Sequence, residues 1–144
     1  MVLRIKTVNY QEQLQAIQTI RTIVFQEEQG VTTELEFDGL DAIATHFLAY
    51  LDDQPVGTTR IRNIDEQTVK IERLAVLPGA RKQGIGRKLM ETALEVITTQ
   101  KKHIAIVHAQ EYIANLYRQL GFEQVGDRFT EAGISHIKMT KQLP

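Results

Sequence analysis

One hexapeptide limits what this chain can fold into. Arg81-Lys82-Gln83-Gly84-Ile85-Gly86 follows an apolar run from Ile71 to Val76 and opens a helical run from Arg87 to Val96. The apolar run reads as a strand, and the two glycines permit a tight bend. The segment therefore predicts a strand delivered through a glycine-pinched turn to a helix N-terminus. Several main-chain N–H groups converge at such a point, and the helix dipole favours negative charge there. A diphosphate suits it. Two common diphosphate loops are excluded by the residues: a dinucleotide loop needs a third glycine where Leu89 stands, and a P-loop ends in Gly-Lys-Ser/Thr, whereas this one reads Gly86-Arg87-Lys88.

The flanking sequence predicts a mixed α/β arrangement. Leu3, Ile5 and Val8 suggest a first strand, and Asn9 with Glu12 reads as a cap for a helix whose apolar positions run from Leu14 to Phe25 and which Gly30 ends. Residues 31 to 43 have no clean period and predict a loop or a short helical turn. Runs at 46–51, 56–62 and 69–76, joined by turns at Asp52–Pro55 and Asn63–Glu66, predict an antiparallel meander. After the bend, a helix with Ile85, Leu89, Ala93, Leu94 and Ile97 on one face leads to a strand, His103 to His108, which should lie parallel to the strand before the bend. A helix from Tyr112 to Leu120 stops at Gly121, and Phe122–Val125 and Ile134–Leu143 supply closing strands.

Composition narrows the class of function. At 144 residues with 42% apolar content, the chain suits one domain spanning residues 1–144, and no run approaches the roughly 20 apolar residues of a membrane helix. The N-terminus lacks a signal-peptide layout, so a cytoplasmic location is expected. With no cysteine there is no thiol nucleophile and no disulfide, and the four histidines show no metal-type spacing, so no metal is expected. A net charge of −1 gives no general attraction to nucleic acid. Locally, Arg81, Lys82, Arg87 and Lys88 cluster at the bend, while Glu27, Glu28, Glu34, Glu36, Asp38 and Asp41 gather upstream. That division suits an anionic cofactor beside an amine.

Arg81-x-x-Gly84-x-Gly86 behind Leu74-Ala75-Val76, followed downstream by Asn115-Leu116-Tyr117-Arg118-Gln119-Leu120-Gly121-Phe122, resembles the two signatures of the Gcn5-related N-acetyltransferases. The resemblance implies the acyl-CoA N-acyltransferase fold: a mostly antiparallel central sheet of six to seven strands, one splayed parallel pair and about four helices. It implies acetyl-CoA as co-substrate. The main chain of Leu74, Ala75 and Val76 would hold the pantetheine arm, with the Val76 amide stabilising the oxyanion. The loop of Arg81, Lys82, Gln83, Gly84, Gly86 and Arg87 would take the diphosphate, and Asn115 would touch the cofactor. Tyr117 is the expected acid for the leaving thiolate. Strand alternation puts Glu72 on the same face as Leu74, which makes it the first candidate base; His108 and His46 are alternatives by intrinsic pKa.

A narrower resemblance covers most of residues 21 to 139. Arg21-x-x-x-Phe25-x-x-Glu28-Gln29, Glu36-x-Asp38-x-x-Asp41, His46, His108-Ala109-Gln110 and Phe129-x-Glu131-x-Gly133-Ile134-x-His136 are similar to the ElaA-like branch. Arg21 lies on an apolar helix and must find Glu36, Asp38 or Asp41. Such a network would either order a loop over the acceptor site or be structural throughout, and the sequence leaves both open. Glu28, Asp41, His46 and His108 are the expected acceptor-binding residues. The expected activity is acetyl transfer to a primary amine of a small molecule or peptide, with a homodimer compatible with the fold. The alternatives are an acyltransferase like the acyl-homoserine-lactone synthases, which share the Arg-x-x-x-Phe piece, an enzyme fed by acyl-carrier protein, and a non-catalytic CoA-binding module.

Overall fold

The computed structural model describes all residues from Met1 to Pro144. The chain runs β1 (Leu3–Val8), α1 (Leu14–Arg21), α2 (Thr33–Glu36), β2 (Thr45–Leu51), β3 (Gln54–Asn63), β4 (Thr68–Val76), α3 (Ile85–Thr99), β5 (Ile104–Gln110), α4 (Ala114–Gln119), β6 (Glu123–Gln124), β7 (Phe129–Glu131) and β8 (Ile134–Gln142). One sheet takes the order β1-β2-β3-β4-β5-β8-β6, with β7 also on β8. Every pairing is antiparallel except β4 with β5. Eight strands exceed the expected six to seven because the Ala132-Gly133 turn, at φ +51° and +75°, folds Phe129–Glu131 back onto β8 as a short hairpin.

Apolar residues alternate along the strands and so fill both faces. Phe47, Ala49, Ile71, Ala105, Val107 and Ala109 pack under α3 and α4 in the larger core. Leu48 and Ala75 turn to the other face, where Ile17, Ile20, Val24 and Phe25 cover them. The long N-terminal helix forms as the periodicity predicts, with Asn9 Oδ1 accepting the Glu12 N–H at 3.1 Å, but it widens to π-helical winding at Thr22–Glu28 before Gly30 turns at φ +72°. Residues 31–43 hold the short α2 and a single 3₁₀ turn at Asp41–Ile43, which carry acidic side chains over the sheet.

The parallel pair positions everything that follows. β4 and β5 are in register only over Thr68–Lys70 against Ile104–Ile106. Beyond that β4 stays with β3 and β5 stays with β8, so the two diverge and leave a wedge open between them.

Candidate active site

A cleft of about 620 Å³ fills this wedge and reaches both faces of the sheet. On the β4 side the ladder skips: Arg60 pairs with Glu72 but Thr58 pairs with Ala75, so β4 holds one extra residue. Arg73, at φ +58°, takes up that residue. A non-glycine residue in the left-handed region is strained, and its guanidinium is anchored to the Glu36 and Leu35 carbonyls and to Asp38 at 3.1–3.3 Å. This bulge corrects the expected strand alternation. Leu74 and Val76 stay with Ile71 on the α3 face, whereas Glu72 falls on the opposite face among Arg60, Arg62 and Lys70.

Main-chain geometry sets the wall of the wedge. The Leu77 amide donates to Val56 O on β3 at 2.8 Å, so by alternation the Val76 amide points away from β3 and into the wedge. At its mouth Lys82 and Gly84 adopt φ +64° and +78°, and Gly84 caps α3. The first helical hydrogen bond is donated by the Lys88 amide to Gly84 O at 3.1 Å. The amides of Ile85, Gly86 and Arg87 precede that bond and have no helical acceptor. A Cβ on Gly86 would meet Val76, Leu116 and Leu74 only at 3.9–4.0 Å, so the protein's own packing does not demand glycine. Gly86 lines the cleft, and close approach of a diphosphate would demand it. The residues present fit a CoA diphosphate.

Tyr117 on α4 lines the same cleft, edge-on to Phe122 with centroids 5.9 Å apart, and its hydroxyl makes no side-chain hydrogen bond within the protein. Burial pushes its pKa well up, so it stays protonated through neutral pH. On the opposite face, His108 Nδ1 lies 3.2 Å from Glu131 Oε1 and its ring meets Phe129 edge-on. His136 stacks on the other side of Phe129 and places Nε2 3.9 Å from Glu131. The His108 hydrogen bond holds the Glu131 carboxyl below its usual range.

A family model described as an acetyltransferase (GNAT) domain matches residues 10–143. The chain belongs to the Gcn5-related N-acetyltransferases. It is 30% identical over 135 residues to ElaA of Escherichia coli, covering 91% of this chain and 88% of that protein. The crystal structure of E. coli ElaA superposes with a TM-score of 0.85 at 28% identity over 97% of this chain and 99% of that one. An acyl-CoA N-acyltransferase from Pseudomonas aeruginosa gives the same TM-score at 29% identity, with 97% and 99% coverage. A GNAT family acetyltransferase from Elizabethkingia anophelis, solved with acetyl-CoA bound, shares the fold at TM-score 0.74 and 16% identity, with 98% of each chain covered. The protein is thus a GNAT-type acetyltransferase of the ElaA-like branch.

Within this GNAT fold the site residues named from sequence fall into three groups. Leu74, Ala75, Val76, Arg81, Lys82, Gly84, Gly86, Arg87, Glu72, His108 and Tyr117 all line the cleft. Glu28 stands at its mouth, where it holds both terminal nitrogens of Arg81 while Arg81 Nε donates to Val76 O at 2.9 Å. That pairing engages the Glu28 carboxylate, expected at the acceptor, with Arg81. Gln83 and Asn115 are solvent-exposed beside the cleft.

Asp41 and His46, expected at the acceptor, lie behind the cleft rather than among its lining residues. Asp41 accepts from Arg21 at 2.6 Å and from Arg60 at 2.8 Å. His46 stacks on Tyr10 with Nε2 2.9 Å from Asp41 O, and burial lowers its pKa and favours the neutral ring. Two buried guanidiniums inside an apolar layer must be paired, and that need claims these groups. The expected partners of Arg21 are thereby found, Glu36 and Asp41. Arg62, Lys70, Glu131 and Gln110, which donates to Gln29 at 2.8 Å, also line the cleft, and the sequence pattern does not mark them as site residues. Alternating polar residues in strands signal only a face, not a pocket.

Proposed function

We propose that this protein transfers the acetyl group of acetyl-CoA directly to a primary amine, with no acyl-enzyme stage. One observation carries the reading: a single open wedge connects the free amides at the α3 N-terminus, past the Tyr117 hydroxyl, to the His108–Glu131 pair on the far side of the sheet. Bound there, acetyl-CoA supplies an activated acetyl thioester. The amides of Gly86 and Arg87 take its diphosphate, with Lys82 adding charge. The wedge-facing main chain of Leu74 and Val76 aligns the extended arm as a missing strand would. The Val76 amide donates to the carbonyl oxygen as charge develops on it, and Tyr117 delivers its proton to the departing sulfur.

The incoming amine must lose a proton as its nitrogen bonds carbon. Burial alone would raise the Glu72 pKa, but the Arg62 hydrogen bond and the charges of Arg60 and Lys70 outweigh it and hold the carboxyl below its ordinary value. A carboxylate so stabilised is a weak proton acceptor. His108, oriented by Glu131, takes that part in place of Glu72, which orders the cations around it. Tyr117 and Val76 end the reaction path on one side of the wedge and His108 begins it on the other.

Release of free thiol from acetyl-CoA over a broad amine panel tests this reading. Turnover that drops in both Tyr117→Phe and His108→Gln, with CoA affinity retained, is the expected result. CoA binding without thiol release from any amine would reduce the protein to a CoA-binding module.

A further inference from the structure

The ion-paired network around Glu72 holds one more cation than carboxylate, and its cleft-facing cations share a wall with Glu131, whose carboxyl feels the Lys70 charge. Arg21, Arg60, Arg62, Lys70 and Arg73 are linked through Glu36, Asp38, Asp41 and Glu72, five cations on four carboxylates. The members deeper in the fold use their terminal donors, although Arg60 Nε is buried without a partner. Arg21 binds Glu36 through both side chain and carbonyl and also binds Asp41. Arg60 spans Asp38, Asp41 and Glu72. Arg62 and Lys70 are different. Arg62 commits only Nε, to Glu72 at 2.8 Å, which leaves both terminal amino groups without a protein partner. Lys70 approaches Glu72 Oε2 no closer than 3.4 Å and makes no hydrogen bond.

These two side chains form a cross-strand pair, Arg62 on β3 opposite Lys70 on β4, and both line the cleft. They retain 21% and 17% exposure, so water compensates them only in part. The His108–Glu131 pair lies one strand further on. Lys70 is in register with Ile106 of β5, and His108 follows two residues later on the same face. Cationic donors and a carboxylate–imidazole pair thus share one wall of the pocket, Lys70 one strand and Arg62 two strands from His108.

We propose that the acceptor carries a carboxylate within a few bonds of its amine, as a free amino acid does, and that Arg62 and Lys70 bind that carboxylate while the amine meets His108 and Glu131. The proposal rests on the acetyl-transfer reading and adds the class of acceptor. A guanidinium with two free amino groups matches a carboxylate in shape as well as charge. The amine at the start of a peptide has no α-carboxylate, so a small zwitterion is preferred over a polypeptide.

Calorimetric titration of the CoA-saturated protein with the standard L-amino acids, each beside its own carboxamide, separates the outcomes. Binding is the readout because amidation also changes the amine's basicity. At least one amino acid should bind tenfold or more tightly than its amide, and Arg62→Gln and Lys70→Met should each bring that ratio toward one, with Arg62→Lys restoring part of it. Amides that bind as well as acids, no binding of any acid, or a ratio unchanged in both variants would overturn the proposal. Saturation with CoA in the first step isolates it from the parent reading, which fails if CoA itself does not bind.

Discussion

The two ends of the cleft are made of different material. The end of the cleft proposed for CoA is main chain: amides of residues 76 and 85–87 presented by one bulged strand and one helix start, all within a dozen residues of sequence. The end proposed for the acceptor is side chain: Arg62, Lys70, His108, Glu131 and His136 come from five strands spread over half the molecule. A site built of backbone is specified by conformation and tolerates many side chains, whereas a site built of charges depends on each partner in the network.

The sharpest way to break this contrast is Arg60→Ala. Arg60 is fully buried and holds three carboxylates together. Its loss should lower the unfolding free energy by about 3–5 kcal/mol, because the abandoned charges remain inside; urea denaturation reads this directly, and a change under 1 kcal/mol would mean that water already compensates the network. Next in size, Tyr117→Phe should reduce kcat by roughly 100-fold, in line with loss of a general acid. Its hydroxyl has no hydrogen-bonding side-chain partner within the protein, so the melting temperature should hold.

The two glycines sharpen the contrast from the other side. Gly84→Ala places a side chain at φ +78° in open space and should cost roughly 1–2 kcal/mol of stability. Gly86→Ala sits inside α3 with ordinary contacts and should leave stability unchanged or raise it by up to about 1 kcal/mol, while CoA affinity falls at least tenfold. Equal CoA affinity in the Gly86 variant would show that the ligand does not approach that turn.

The smallest effect is on pH. Asp38, Asp41, Glu72 and Glu131 sit below their ordinary pKa values, so the unfolded chain binds protons first as pH falls. Their contribution is complete above about pH 5 and is lost progressively through pH 4 and below. His46, kept neutral by burial, adds a shallower loss that begins near pH 6.5. His46→Gln should flatten thermal stability between pH 6.5 and 5 without altering the steeper fall beneath it.

This division also explains what could be read before any coordinates. Arg81 to Gly86 between a strand and a helix announces an anion-binding turn because positive φ and unpaired amides are local properties. The meander and the parallel pair follow from period and order. The extra residue at Arg73 left no mark, since a charged residue in the left-handed region is held there by Leu35, Glu36 and Asp38, nearly forty positions away. Strand alternation alone therefore puts Glu72 on the face opposite to the one it occupies. Glu131 was equally hidden, because it reaches His108 only through the β7–β8 hairpin.

A strand border with vacant hydrogen-bonding groups is ordinarily a hazard, since any other extended chain can dock there and seed aggregation. Here the vacant borders of β4 and β5 face each other inside one molecule, stitched together at one end by three residue pairs. A folded protein is too bulky to enter that slot, but a flexible linear arm is not. The fold thus turns a feature that would make copies of the chain stick together into a filter for slender ligands.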